Sequence, residues 1–133
     1  MRGFTLLSLS ILLLLTGCAK RVRFNSLPVL RSGTAQARID LTYNRNDAIQ
    51  VKLSKVPDPS ELGSQFTRYV LWVATPDRQH IINVGQLRVE NHSASLRTLT
   101  PLRRFILFIT AETGGDVMTP GPDILFQTKE IGW

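Results

Sequence analysis

The stretch ARIDLTYNRNDAIQVKLSKV, residues 37–56, indicates the fold class of this 133-residue chain. Apolar and polar residues alternate through its first part, residues 37–44, and again through residues 49–54. A period of two is typical of half-buried β-strands, and the turn-forming residues 44–47 between the two parts favour a hairpin. The stretch therefore predicts two paired antiparallel strands.

Strand patterns continue to the carboxyl end of the chain. Two runs, YVLWVA at 69–74 and FILFITA at 105–111, are apolar on both faces and suit central strands. Shorter patterns predict further strands at residues 81–89, 95–99 and 124–131. With the hairpin, these make seven strands at roughly ten-residue spacing, and no stretch favours a helix. We expect an all-β fold, an antiparallel immunoglobulin-like β-sandwich without a disulfide, because the chain has one cysteine.

The amino-terminal segment has the pattern of an export signal. Arg2 precedes an apolar run over residues 4–15. As a helix this run would be about 18 Å long, whereas the hydrocarbon core of a membrane is about 30 Å thick. Such a short run fits the middle of a signal peptide. Small residues, Thr16 and Gly17, then precede Cys18, the only cysteine.

The four residues at 15–18, Leu-Thr-Gly-Cys, resemble a bacterial lipobox. The resemblance implies that signal residues 1–17 are removed by cleavage between Gly17 and Cys18, and that lipid is attached to Cys18. Two or three acyl chains form an anchor that does not readily leave the membrane. Ala19 follows, where similar lipoproteins kept in the inner membrane often carry Asp, so we expect an outer-membrane location facing the periplasm in a host with two membranes. The alternative is an uncleaved signal anchor with an incidental cysteine.

The mature chain has the size of one domain, and its charge is uneven. We expect residues 18–36 to be a basic tether and residues 37–133 to be the sandwich. The net charge of the chain is +6. Residues 18–55 carry eight Lys or Arg against two acids, whereas residues 56–133 carry seven against eight. The tether either lies against anionic lipid head groups or is a solvated linker. Nucleic acid is not expected as a partner, because the aromatic residues lie in apolar runs rather than among the basic residues.

The sequence offers few groups for catalysis. The only histidines, His80 and His92, are twelve residues apart, and no cysteine is left for a metal site. We therefore expect no metal and no cofactor. The prediction is a lipid-anchored envelope protein whose sandwich is a binding or interaction module without catalytic activity, with another envelope protein as its partner. The alternative is a small envelope hydrolase or another enzyme on a β-sandwich scaffold, which would require the histidines to converge with Asp77, Glu90 or Glu112 in one pocket.

Several short motifs resemble the extracytoplasmic C-terminal domain of anti-sigma-K factors. They are Tyr-Val-Leu-Trp at 69–72, Gly-Gln-Leu at 85–87, Thr-Ala-Glu at 110–112, Gly-Gly at 114–115 and Pro-Gly-Pro at 120–122. The resemblance implies a β-sandwich outside the membrane that senses or docks. Those factors also have a sigma-binding cytoplasmic segment and a transmembrane helix, which are not expected here, because everything after the lipidated cysteine is exported. We therefore expect no sigma factor as a partner.

The loop at residues 114–122 is the candidate working surface. Its three Gly and two Pro cannot continue a strand, and it carries two apolar residues, Val117 and Met118. Loops at the end of a sandwich commonly carry recognition, and Met adapts its shape to a partner. We predict that Val117 and Met118 contact a partner. The alternative is that both fold back and cover the core. Glu112, just before this loop, is expected to bond loop amides rather than to act as a catalytic acid.

Overall fold

The computed structural model describes residues 19–27, 30, 32–42 and 44–133. In these residues the chain forms ten β-strands and one short helix. The strands are β1 (Ala19–Arg23), β2 (Asn25–Ser26), β3 (Thr34–Leu41), β4 (Asp47–Ser54), β5 (Arg68–Ala74), β6 (Ile81–Leu87), β7 (Ser93–Thr100), β8 (Arg104–Glu112), β9 (Ile124–Gln127) and β10 (Ile131–Gly132). The helix, α1, spans Pro59–Leu62. Among the residues described, no helix has the length and apolarity needed to cross a membrane.

The strands form two antiparallel sheets. The four-stranded sheet has the order β1-β3-β4-β7, and the six-stranded sheet has the order β2-β9-β8-β5-β6, with β10 paired to β8. The central strands, β3-β4-β7 facing β9-β8-β5-β6, follow the A-B-E and G-F-C-C′ order of immunoglobulin-like sandwiches. The predicted all-β sandwich is therefore confirmed.

All seven predicted strands are present, one of them in two parts, and two further strands, β1 and β2, accompany them. The predicted hairpin is β3–β4, with Ile39 opposite Ile49. The predicted strand at 124–131 is divided into β9 and β10. In β1 only Val22 is partly buried, and β2 has only two residues. Neither short segment shows alternation, because pairing with a neighbour through the backbone requires no apolar pattern.

The expectation of a free basic tether over residues 18–36 is wrong for the part that the structure describes. Strand β1 pairs with β3 along all five of its residues, and β2 pairs with β9. Between and after these strands, Phe24 and Leu30 are buried in the core, 8% and 3% exposed. Backbone pairing and apolar burial therefore hold the described residues of this segment in the sandwich.

The main core lies between the two sheets. A second apolar cluster lies on the outer face of the six-stranded sheet and consists of Val70, Trp72, Ala74, Ile106 and Phe108. Tyr69 belongs to the main core, so Tyr69 and Trp72 are buried on opposite faces of β5, as their odd separation predicts. Ile81, Val117 and Ile124, from other parts of the chain, pack against this cluster.

A tight turn carries the chain from β6 in one sheet to β7 in the other. Asn91 and His92 both have positive φ, 50° and 62°. Glu90 and Ser93 exchange two backbone hydrogen bonds across them, at 2.8 and 3.0 Å. Positive φ at both central residues is the signature of a type I′ turn, whose twist suits a tight hairpin. His92 therefore has a backbone role at this position.

Candidate functional site

The predicted cleavage and lipidation site, Gly17 and Cys18, lies outside the described residues. The next residue, Ala19, is the first residue of β1 at the edge of the four-stranded sheet. A lipid on Cys18 would thus be attached one residue before a strand of the folded domain, with no linker between them.

The loop at residues 114–122 is held against the six-stranded sheet by side-chain hydrogen bonds. The Asn83 side-chain amide on β6 donates to the carbonyl oxygens of Gly115 and Val117, at 3.0 and 2.9 Å. At the far end of the loop, the Gly121 N–H donates to Glu112 Oε1 at 2.6 Å. The loop is therefore fixed at both ends by groups that belong to strands.

The structure separates the two apolar residues of this loop. Val117 packs against the outer-face cluster that contains Trp72 and Phe108. Met118, by contrast, is 86% exposed. Val117 therefore covers the apolar cluster, as the alternative interpretation expected, while Met118 projects from the loop toward solvent.

A buried chain of hydrogen bonds connects this loop to the cluster beneath it. Trp72 Nε1–H donates to Thr110 Oγ1 at 2.8 Å, and the Thr110 hydroxyl donates to Glu112 Oε1 at 2.8 Å. Because Thr110 is fully buried and Glu112 is 7% exposed, these bonds satisfy groups that water does not reach readily. Glu112 thus bonds both the Thr110 hydroxyl and the amide of Gly121, so the expected loop-amide role is what the structure shows for this side chain.

Around Trp72, neighbouring side chains leave the indole no free face. Its ring stacks on Phe108 with centroids 6.2 Å apart and planes inclined by 14°. The guanidinium of Arg78 lies 5.4 Å from the Phe108 ring centroid, at cation–π distance. Trp72 itself is fully buried. These aromatic rings belong to the scaffold that carries the loop.

The two histidines lie in turns at opposite ends of β6. His80 precedes β6 and has Asp77 in the same turn, whereas His92 follows β6 and has Glu90 in its turn. One ring nitrogen of His92, Nδ1, lies 3.1 Å from the carbonyl oxygen of Val56. The described residues contain no cluster of three or more His, Cys, Asp or Glu that could hold a metal. The convergence that the hydrolase alternative requires is therefore not found between these two turns.

Asp77 has a local structural role in the β5–β6 turn. Its carboxylate accepts hydrogen bonds from the Thr75 hydroxyl at 2.6 Å and from the Gln79 N–H at 3.1 Å. These bonds, the first of them most strongly, lower the pKa of Asp77 below its ordinary value. An acid with a lowered pKa remains a carboxylate, which is the form that accepts both bonds.

The outer face of the four-stranded sheet carries a basic surface that the sequence analysis did not identify. The strand registers place Arg21 opposite Arg38, Arg38 opposite Gln50, and Gln50 opposite Arg97. Directly opposed residues share a face of the sheet, so one row crosses all four strands. The next row contains Arg23 and Lys52. We call the five exposed cations of these two rows the basic face: Arg21, Arg23, Arg38, Lys52 and Arg97.

One carboxylate accompanies these cations. Asp40 forms an exposed ion pair with Arg38, with 3.1 Å between Nε and Oδ2. A shallow open depression of about 470 Å³ lies beside this pair and is bounded partly by Ala48 and Leu99. Leu99 is 58% exposed, so an apolar side chain borders the row of arginines. The alternation in β3 and β4 showed which of their residues face outward, but the positions of Arg21 and Arg97 depend on pairing with β1 and β7.

Comparison with protein-family models, with curated proteins and with solved structures gives no match to this chain. A functional assignment therefore depends on its own residues, above all on the segment before β1, the loop at 114–122 and the basic face.

Proposed function

We propose that this protein is a lipid-anchored cell-envelope protein whose β-sandwich is a binding module. The observation that carries the proposal is the Leu-Thr-Gly-Cys sequence at 15–18, which follows a short apolar run and ends one residue before β1. Lipid on Cys18 holds the sandwich at the membrane. In a host with two membranes the absence of Asp after Cys18 favours the outer membrane, with the domain in the periplasm.

The anchor is tested on the mature protein by mass spectrometry. Trypsin cleavage after Lys20 would release the acylated tripeptide 18–20, with a mass increased by diacylglycerol and an amide-linked acyl chain. Cys18→Ser should abolish the modification, and it should either release the protein from membranes or block its processing. Gly17→Ala keeps a small residue before the cysteine and serves as the control that is still processed, whereas Gly17→Leu blocks processing. Membrane-bound, processed Cys18→Ser protein would show that the anchor is elsewhere.

The binding activity is assigned to the loop at 114–122. Its ends are fixed by Asn83 and Glu112, so Met118 is presented from a rigid base with little entropy to lose on binding. His80 and His92 lie at opposite ends of β6, and this separation supports a binding module rather than a hydrolase. The motifs that resemble anti-sigma-K factors support the same view, since the corresponding domain there lies outside the membrane.

The loop is tested by photocrosslinking in intact cells. A photoreactive residue at Met118 is expected to capture a specific envelope protein, and the same residue at Ser54, exposed at the end of β4, serves as the control. When the photoreactive residue is placed at a neighbouring loop position instead, Met118→Ser should abolish capture. The same change should leave thermal stability unchanged, because Met118 is exposed. Val117→Ser should lower stability, because Val117 packs on the apolar cluster. Equal capture at both positions, or none, would contradict the assignment to this loop.

A further inference from the structure

The basic face concentrates positive charge on one side of the sandwich. Two adjacent rows of outward residues carry the five exposed cations, and the row beside them carries the carboxylate of Asp40. Arg21 and Arg38 are directly opposed, and like charges opposed across two strands destabilise a sheet. Asp40 pairs with only one of them. Such an arrangement is favourable when an anionic surface lies against it.

The chain reaches this face directly from the proposed anchor. Cys18 immediately precedes Ala19, and Ala19 lies in the outward row that contains Asp40, Ala48 and Leu99. Arg21 and Arg23 follow two and four positions later on the same edge strand. At about 3.4 Å per residue, both are within roughly 20 Å of the lipid attachment point. An acylated Cys18 would therefore bring the edge of the basic face to the lipid head groups.

From these observations we propose that the basic face docks on an anionic lipid surface, the same bilayer that holds the lipid on Cys18. This inference rests on the anchor in the proposed function and adds the orientation of the domain. Four strands about 4.8 Å apart span roughly 15 Å, and adjacent outward rows are about 7 Å apart. A sheet lying flat brings all five cations within about one Debye length, roughly 8 Å, of the head groups at physiological salt. Leu99, at the border of the face, meets the interface with its apolar side chain.

This orientation has a consequence for the loop at 114–122. The loop covers the outer face of the other sheet, since Val117 packs on the cluster there. The two sheets of a sandwich are about 10 Å apart, so the loop lies on the side opposite the basic face. Docking of the basic face thus directs Met118 away from the bilayer, where a protein partner can reach it.

The test measures which side of the lipidated protein faces the bilayer. Purified full-length mature protein is incorporated into nanodiscs of phosphatidylcholine, with or without phosphatidylglycerol. Because the native cysteine carries lipid, a fluorophore can be placed through Ser95→Cys, beside the basic face, or through Met118→Cys, on the opposite side. A nitroxide on the lipid head groups then quenches each fluorophore according to its distance from the surface.

We expect stronger quenching of the label at position 95 than of the label at position 118 when phosphatidylglycerol is present. The difference should shrink in phosphatidylcholine alone and at high salt. Each Lys or Arg near an anionic surface contributes about 1 kcal/mol. The double change Arg21→Gln and Arg97→Gln should therefore lower the ratio of docked to undocked protein roughly 30-fold. The matched control, Arg68→Gln with Arg103→Gln, removes the same charge outside the basic face and should leave the ratio unchanged.

The outcomes separate the two proposals. A mature protein without lipid that fails to enter nanodiscs overturns both the anchor and the docking. A lipidated protein with equal quenching at positions 95 and 118, or with quenching that is indifferent to phosphatidylglycerol, overturns the docking alone. Equal effects of the two double changes would show that net charge, rather than the basic face, controls the orientation, and would likewise overturn it.

Discussion

Replacing Glu112 tests whether one carboxylate holds the loop at 114–122 in place. Its Oε1 accepts the Thr110 hydroxyl at 2.8 Å and the Gly121 N–H at 2.6 Å. In Glu112→Ala both donors lose their partner, and Thr110 is fully buried. A buried donor left without a partner costs about 1–3 kcal/mol. The Gly121 N–H can bond water instead, so it adds only the net value of its lost hydrogen bond, about 1 kcal/mol. The expected loss of unfolding free energy is therefore about 2–4 kcal/mol in total.

Glu112→Gln is the matched variant. The amide keeps an oxygen that can accept both hydrogen bonds, while it removes the charge and replaces the second oxygen with an NH2 group. Hydrogen bonds to a charged acceptor are about twice as strong as neutral ones, so the expected cost is about 1 kcal/mol. Against the 5–15 kcal/mol typical of a domain, the two losses are readily distinguished.

The assay is urea unfolding of the chain from Ala19 to Trp133, followed by tryptophan fluorescence. Trp72 belongs to the same hydrogen-bond chain through Thr110, so its emission reports on the site. Amide exchange at Gly121 supplies a local readout, and it should accelerate in Glu112→Ala more than in Glu112→Gln. If the glutamine variant loses as much stability as alanine, or if alanine costs less than about 1 kcal/mol, the carboxylate does not hold the loop in the way described.

Three further predictions follow from the packing. Phe108→Ala should lower the unfolding free energy by about 3–5 kcal/mol, because Phe108 is buried against Trp72, and a urea curve with a loss below 1 kcal/mol would contradict this. The Tyr69 hydroxyl donates to the Pro57 carbonyl at 2.7 Å, and burial, followed by the nearby carboxylates Asp58 and Glu61, raises the pKa of Tyr69. The stabilisation that comes from the raised pKa of Tyr69 is therefore complete below about pH 10, the ordinary tyrosine value, and is lost as the pH rises further. Tyr69→Phe should remove the share of the alkaline decline in unfolding free energy that this tyrosine causes. A chain beginning at residue 32 lacks β1 and β2 and should melt at a lower temperature than the chain from residue 19, whereas equal melting temperatures by circular dichroism would refute the structural role of these strands.

The candidate site was predictable where a local pattern carried the information. The loop at 114–122 was recognisable from its Gly and Pro residues, and the amide-bonding role of Glu112 from its position beside them. The different positions of Val117 and Met118 could not be predicted, because both are apolar and adjacent. Their separation depends on the outer-face cluster, which forms only when β5 and β8 pair.

The sequence by itself determined the fold class and the faces of the strands. Alternation with a period of two is a local property, so it predicts strands at residues 37–44 and 49–54. The odd separation of Tyr69 and Trp72 likewise places them on opposite sides of β5. Only the tertiary structure decided that β1 joins the sheet, since its pairing depends on backbone hydrogen bonds that leave no pattern in side chains. The basic face was decided in the same way. Arg21, Arg38 and Arg97 are far apart in the chain and form one row because the strand registers, set by long-range packing of the core, bring them together.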